Sequence, residues 1–196
     1  MSKTIDESSL RLLFTEARTH NGFLPTPVDD ALIHRAVDIA KIGPTSLNQS
    51  PARFVFVKSA EAKAKLAPAM IEANRAKTES APVVAIVAYD VKFWEKLPFL
   101  FPHMDARGWF SGNEAFAERS AFQNGTLQVA YFILALRAVG LDTGPMTGFD
   151  NKAVDEAFFA GSSYKSNVII NIGYGSGENM FPRSPRFAFD EIAKFV

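Results

Sequence analysis

Cysteine is absent from all 196 residues. That excludes disulfides, iron–sulfur clusters, thiolate zinc sites and a cysteine nucleophile, and it suits a cytoplasmic protein. Net charge is absent too. The 21 Lys and Arg balance 21 Asp and Glu, so nothing electrostatic draws the whole chain to nucleic acid or to an anionic membrane. Long apolar runs are lacking. The longest, near Val129–Leu136, stops at Arg137, far short of the roughly 20 residues that span a bilayer; it predicts a buried helix. Met1–Arg11 is broken by acids and does not read as a secretory signal.

Familiar catalytic signatures are missing as well. The three histidines, His20, His34 and His103, include no pair at metal-ligand spacing. No G-x-S-x-G elbow occurs, and no pair of carboxylates stands out for acid–base work. Gly173-Tyr174-Gly175-Ser176-Gly177 has the glycines of a phosphate loop. It lacks the Lys-Ser/Thr ending and a clear following helix, so it reads as a flexible strand exit.

What remains is a chain with 47% hydrophobic residues, enough for one core and a single domain over residues 1–196. Ile5–Arg18 has helical spacing, with Asp6 or Ser8 available as a cap. Asp30–Ile42 predicts a second helix, stopped by Gly43-Pro44. Phe54–Val57 reads as a buried strand, and Pro82–Tyr89 as a central strand apolar on both faces. Between them, Glu61–Thr78 is helical in composition, with a break at Pro68. Phe116–Val139 is the longest helical pattern, with Gly140 as its C-cap. A short helix runs on from Asp150 to Phe159, Val168–Ile172 gives a third strand, and Phe187–Phe195 is amphipathic. Phe93–Phe110 mixes aromatics with Pro98, Pro102 and Gly108; it predicts a loop tucked on the core or an aromatic lid over a pocket. Strands alternate with helices, so the class is α/β or α+β.

The most informative stretch is Gly43–Phe54, GPTSLNQSPARF. It joins a helix to a strand, and its small hydroxyls and amides could bond a flat heterocycle or a phosphate without filling the space that ligand needs. Other segments join it. Arg18 lies where the first helix runs out. Asn74 and Lys77, three apart, share a helix face. Pro145–Asp150 closes a loop after the long helix, and Arg183 and Arg186 form a basic pair in the tail.

In this order the segments resemble the nitroreductase family of FMN-dependent flavin reductases, over nearly the whole chain. The phrases FTEARTHNGF, GPTSLNQSPARFVFV, LPFLFPHMDARGWF, GLDTGPMTGFD and NVIINIGYG resemble most the malonic semialdehyde reductase branch of pyrimidine degradation. The resemblance implies an α+β, three-layer fold, with a mostly antiparallel central sheet flanked by helices, in a homodimer whose two subunits share each FMN site. It places Arg18, Thr19 and Asn21 at the phosphate and ribityl end, with Arg183 and Arg186 completing a clamp. Pro44, Thr45, Ser46 and Asn48 line the flavin from the partner subunit. Asn74 and Lys77 address the pyrimidine edge, and Pro145, Met146, Thr147 and Gly148 pass near the N5 side.

By the same resemblance, NADPH or NADH gives hydride to flavin N5, which passes it to a small-molecule acceptor in ping-pong fashion, with no side chain as covalent catalyst. The implied reaction is malonic semialdehyde to 3-hydroxypropionate. A broad nitro/quinone reductase and a flavin-binding storage or sensor protein share the same residues. Arg107 is a candidate for a substrate carboxylate. The chain departs from the family pattern at Ala52-Arg53, where relatives carry Trp, and at Thr147, where they carry an acid. Arg53 is thus a second candidate, for structure or for an acidic substrate. At the first-helix end a one-residue shift makes His20, not Asn21, the partner of Arg18.

Overall fold

The computed structural model describes residues 3–196. Its centre is β2 (Val83–Asp90), in which every residue is buried. Two-residue alternation divides this strand. Val83, Ala85 and Val87 face one core, and Val84, Ile86 and Ala88 face another. Both faces of the sheet must therefore be covered, giving three layers.

Four strands form the sheet in the order β1-β2-β4-β3, with β1 at Ala52–Val57, β3 at Asp142–Met146 and β4 at Tyr164–Gly173. All three pairings are antiparallel. One face is covered by α2 (Asp30–Ala40) and α7 (Glu114–Ala138). The other lies under α3 (Ala60–Leu66), α4 (Glu72–Ser80) and α8 (Asn151–Phe158). The apolar run before Arg137 lies in α7, whose Phe132 is fully buried. The Phe132 ring packs on Phe54 and Phe56 of β1, with centroids 4.9 and 6.1 Å away. This is the expected α+β fold with an antiparallel sheet between helices. No helix among the described residues is long and apolar enough to cross a membrane.

Three expectations need correction. The sheet has a fourth strand, β3, where a loop was expected; Gly144 and Pro145 hide it because both are poor strand formers, and Pro is tolerated here on an edge strand. β1 is not a fully buried strand but an edge, with Arg53–Phe56 half-buried. The first helix does not reach Arg18. Its α-helical part, α1, is Glu7–Leu10, capped by Asp6, and a wider turn continues it to Thr15.

The aromatic stretch is partly loop and partly short helices, α5 (Leu97–Leu100) and α6 (Gly108–Ser111). Phe93, Leu97 and Phe110 are buried beneath α7, whereas Phe99 and Trp109 remain 84% and 54% exposed. Past β4 the chain runs out along the surface and ends in a short helix, α9 (Phe189–Ile192).

Phe132→Ala should cost about 3–5 kcal/mol, the range for emptying a packed aromatic site. Urea unfolding of the two proteins measures it.

Candidate functional site

The residues before α2 pass along the open side of β3. Thr19 bridges to Thr143, and the His20 amide donates to the Thr143 carbonyl at 3.0 Å. The same segment holds the exit from β4. Leu24 donates to the Tyr174 carbonyl at 2.8 Å, Ser176 to Gly22 at 3.1 Å, and the Asn21 amide to Asn179 at 3.0 Å. A reciprocal clasp follows. Arg18 donates to the Phe181 carbonyl, and Arg183 donates to Ala17 at 3.1 Å. The Gly-rich exit is not a phosphate cradle, since a Cβ on Gly175 would stand 2.0 Å from His20 Nδ1. Its Gly175 amide instead donates to Asp142 at 2.8 Å.

Between helix end and tail lies a cleft of about 490 Å³. Arg18, Thr19, Asn21, Arg183 and Arg186 line it together, and so does Arg137. No Asp or Glu is among the lining residues. Burial lowers the pKa of the Arg137 guanidinium; Asp142 opposes that shift, and Arg183 adds to it. Four guanidiniums without a lining carboxylate repel one another and favour an anion.

The cleft connects to α4. Lys77 Nζ donates to Asn21 Oδ1 at 3.2 Å, and burial lowers its pKa. Asn74, on the same helix, donates to the Gly148 carbonyl at 3.0 Å. A Cβ on Gly148 would lie 2.5 Å from Ile71 Cδ1 and 2.7 Å from Asn74 Nδ2, so a side chain there would have to displace both, including the amide bonded to Gly148. Thr147 is exposed beside it, after Pro145 and Met146 close β3. Among the described residues, the buried side-chain atoms without a hydrogen-bond partner are His20 Nδ1, Thr143 Oγ1 and Asn171 Oδ1. All three lie near β3 but on two faces of the sheet: Thr143 pairs with Ile172, on the side of the α2 and α7 core, and Asn171 with Val84, on the α4 side.

Pro44, Thr45, Ser46 and Asn48 lie elsewhere, on the loop that enters β1 at the opposite edge. Three strand spacings, about 14 Å, separate β1 from β3. Tyr131 donates to the Pro44 carbonyl at 3.0 Å, and the Ser46 amide donates to Asn124 at 2.8 Å. Asn48 Nδ2 donates to the Leu100 carbonyl at 2.8 Å. Leu47 packs with the cluster that includes Phe93 and Phe110. This loop and the aromatic stretch thus form one unit. Leu47, Asn48 and Ser50 all hold φ between 38° and 52°, a conformation rare for residues with a Cβ.

Of the two candidate substrate cations, Arg53 is committed to structure. It pairs with the buried Asp90 at 2.8 Å, donates to the Ser50 and Ala52 carbonyls, and lies 5.5 Å from the Tyr164 ring centre. Arg107 is exposed and forks onto Asp105 at 2.9 and 2.8 Å. That pairing pulls Asp105 down to about 2.

Residues 15–174 match the family described as Nitroreductase. The chain belongs to the nitroreductase family. A Burkholderia lata relative, provisionally named NADH dehydrogenase/NAD(P)H nitroreductase, is 60% identical over 97% of this chain and 98% of its own. Among solved structures, a provisionally named nitroreductase from Bacillus subtilis superposes with a TM-score of 0.88, at 23% identity over 97% of this chain and all of its own. An Exiguobacterium sibiricum structure, titled as a nitroreductase in complex with FMN, gives 0.84 at 21% identity over 100% of both chains.

Sequence reasoning missed Arg137 and Asn171 in this nitroreductase-family chain. Arg137 was visible only as the end of an apolar run; the signal was a cation terminating a buried helix near a second basic segment. Asn171, a fully buried amide within an otherwise apolar strand, carried the plainer signal of polarity in a core position.

If the cleft is an anion site, inorganic phosphate stabilises the ligand-free protein, by about 1.4 kcal/mol at ten times its Kd. Thermal unfolding with added phosphate should show this, and Arg18→Ala or Arg183→Ala should abolish the increase.

Proposed function

We propose that this nitroreductase-family chain is an FMN-dependent NAD(P)H oxidoreductase that reduces malonic semialdehyde to 3-hydroxypropionate. The observation that carries the cofactor assignment is the cleft of four guanidiniums with no lining carboxylate. Such a site suits the phosphate of a mononucleotide. The donor set therefore fits FMN, and FMN is named in the structure of the Exiguobacterium relative. When bound, FMN would supply the two-electron chemistry, accepting hydride from NADH or NADPH and delivering it from N5 to the acceptor.

The chain's own residues bind and orient. Arg18, Arg183 and Arg186 hold the phosphate, with Thr19 and Asn21 beside them and Arg137 adding to the field. Asn74 and Lys77 address the pyrimidine edge, where a cation near N1 and O2 favours reduced FMN. Pro145, Met146, Thr147 and Gly148 flank the N5 side, with backbone amides after Pro145, which has no N–H, as donors. Pro44, Thr45, Ser46 and Asn48 belong to the other edge of the sheet, so they complete a site only on a second copy. Homodimerisation answers that need. It also covers apolar side chains now 48% exposed on α7 (Phe116 and Phe122) and 72–92% exposed in the tail (Phe181, Phe187 and Phe195). A cysteine-free composition fits a cytoplasmic setting.

The semialdehyde assignment rests on the sequence resemblance; Arg107 would meet a small carboxylate by exchanging it for Asp105, which now takes its fork. A second reading, a broad nitro/quinone reductase, is favoured by exposed Phe99 and Trp109, which could stack on flat aromatics.

The purified protein should be yellow, with a flavin absorption band that NADH or NADPH bleaches in stopped flow. No bleaching at millimolar donor would leave a flavin-binding storage or sensor protein. Arg183→Ala with Arg186→Ala should lower FMN retention on gel filtration; undiminished retention rejects the clamp. Turnover of malonic semialdehyde should exceed that of a nitroaromatic. Arg107→Ala should raise KM for the semialdehyde and leave the nitroaromatic KM unchanged, and equal effects on both would remove Arg107 from substrate recognition.

A further inference from the structure

We infer that Asn171 is a positioning residue for Lys77, fixing from the sheet where the lysine's ammonium stands. The inference rests on the placement of Lys77 beside the flavin pyrimidine proposed above, and deepens it.

Asn171 lies in β4, opposite Val84 of β2 and Gly144 of β3, and its side chain is fully buried. Its Nδ2 donates to the Lys77 carbonyl at 3.0 Å. Lys77 is in the last turn of α4, where carbonyls run out of intrahelical partners. Asn171 thus caps α4 at the residue that carries the cation, with the Ser80 hydroxyl donating more weakly to the same carbonyl at 3.3 Å. At the far end of that residue, Nζ donates to Asn21 Oδ1, and Asn21 in turn donates to Asn179. Lys77 is therefore held at both ends: its backbone by the sheet, its ammonium by the segment that lines the anion cleft. Lys63 Nζ, donating to the Glu79 and Ala81 carbonyls, secures the remainder of the helix end without touching Lys77.

Asn171 Oδ1 is buried without a partner. A buried amide that makes one hydrogen bond and leaves its carbonyl oxygen without a partner is a poor stabiliser compared with an apolar residue of similar size. Its placement there makes sense through the one bond it does form. That bond sets the height of α4 over the sheet. Without it the helix end can shift, and the Lys77 ammonium follows solvent instead of the flavin.

The test is the midpoint potential of bound FMN, measured by dye equilibration in wild type, Asn171→Ala, Lys77→Ala and the double variant. Moving the cation away from N1 and O2 disfavours reduced FMN. Asn171→Ala should lower the potential by about 30 mV, a tenfold change for a two-electron couple. Because Asn171 acts through Lys77, the double variant should match Lys77→Ala alone. An unchanged potential in Asn171→Ala, or additive shifts in the double variant, overturns the inference. If Asn171→Ala does not yield folded holoprotein, Asn171→Leu, similar in volume and without a donor, takes its place with the same expectations. Failure of the underlying reading looks different: wild type binds no FMN, or Lys77→Ala leaves the potential unmoved.

Discussion

Burial of β2 on both faces is the constraint from which the rest of the molecule follows. From Val83 to Ala88 the strand has no polar side chain on either face. It needs helices above and below, and it pushes functional polar groups toward the sheet's two edges. The β3 edge receives the end of the first helix, the tail and α4, with their guanidiniums, amides and ammonium. The β1 edge receives the Pro44–Asn48 loop and the aromatic stretch. A flat ligand that needs both sets would have to lie between two copies of the chain, as the proposed dimer has it.

Charge organises the β3 edge. A chain of zero net charge concentrates four guanidiniums around one cleft and keeps carboxylates out of its lining. The reciprocal clasp between Arg18 and Arg183 shows how this is tolerated: each guanidinium spends a donor on the backbone of the opposite segment. The same bonds that hold the tail against the helix end also bring like charges together. An anion between them would relieve the repulsion and tighten the clasp.

Much of this was legible in the sequence. The apolar run Pro82–Tyr89 announced a central strand, and the run before Arg137 announced a buried helix. Arg18, Asn21, Lys77, Arg183 and Arg186 were named from sequence, and the structure brings them to one corner. What was hidden has physical reasons. β3 carries Gly and Pro, which look like a loop until β4 is there to pair with it. Asn171 matters only through a bond to a helix distant in sequence. Arg53 was open to a structural role or to an acidic substrate, and Asp90, 37 positions away, decides for structure by accepting from its Nη2; no local pattern marks that pairing.

The central claim is that the arginine cleft of one copy and the Pro44–Asn48 wall of another make one flavin site. Complementation tests it directly. A chain carrying Arg18→Ala and Arg183→Ala has an intact wall, and a chain carrying Ser46→Trp has an intact cleft. Neither should retain FMN alone. Co-expressed and purified through two different tags, the mixed species should recover about one FMN per pair of chains. No recovery in a verified mixed species, or full FMN retention by either variant alone, would contradict the account.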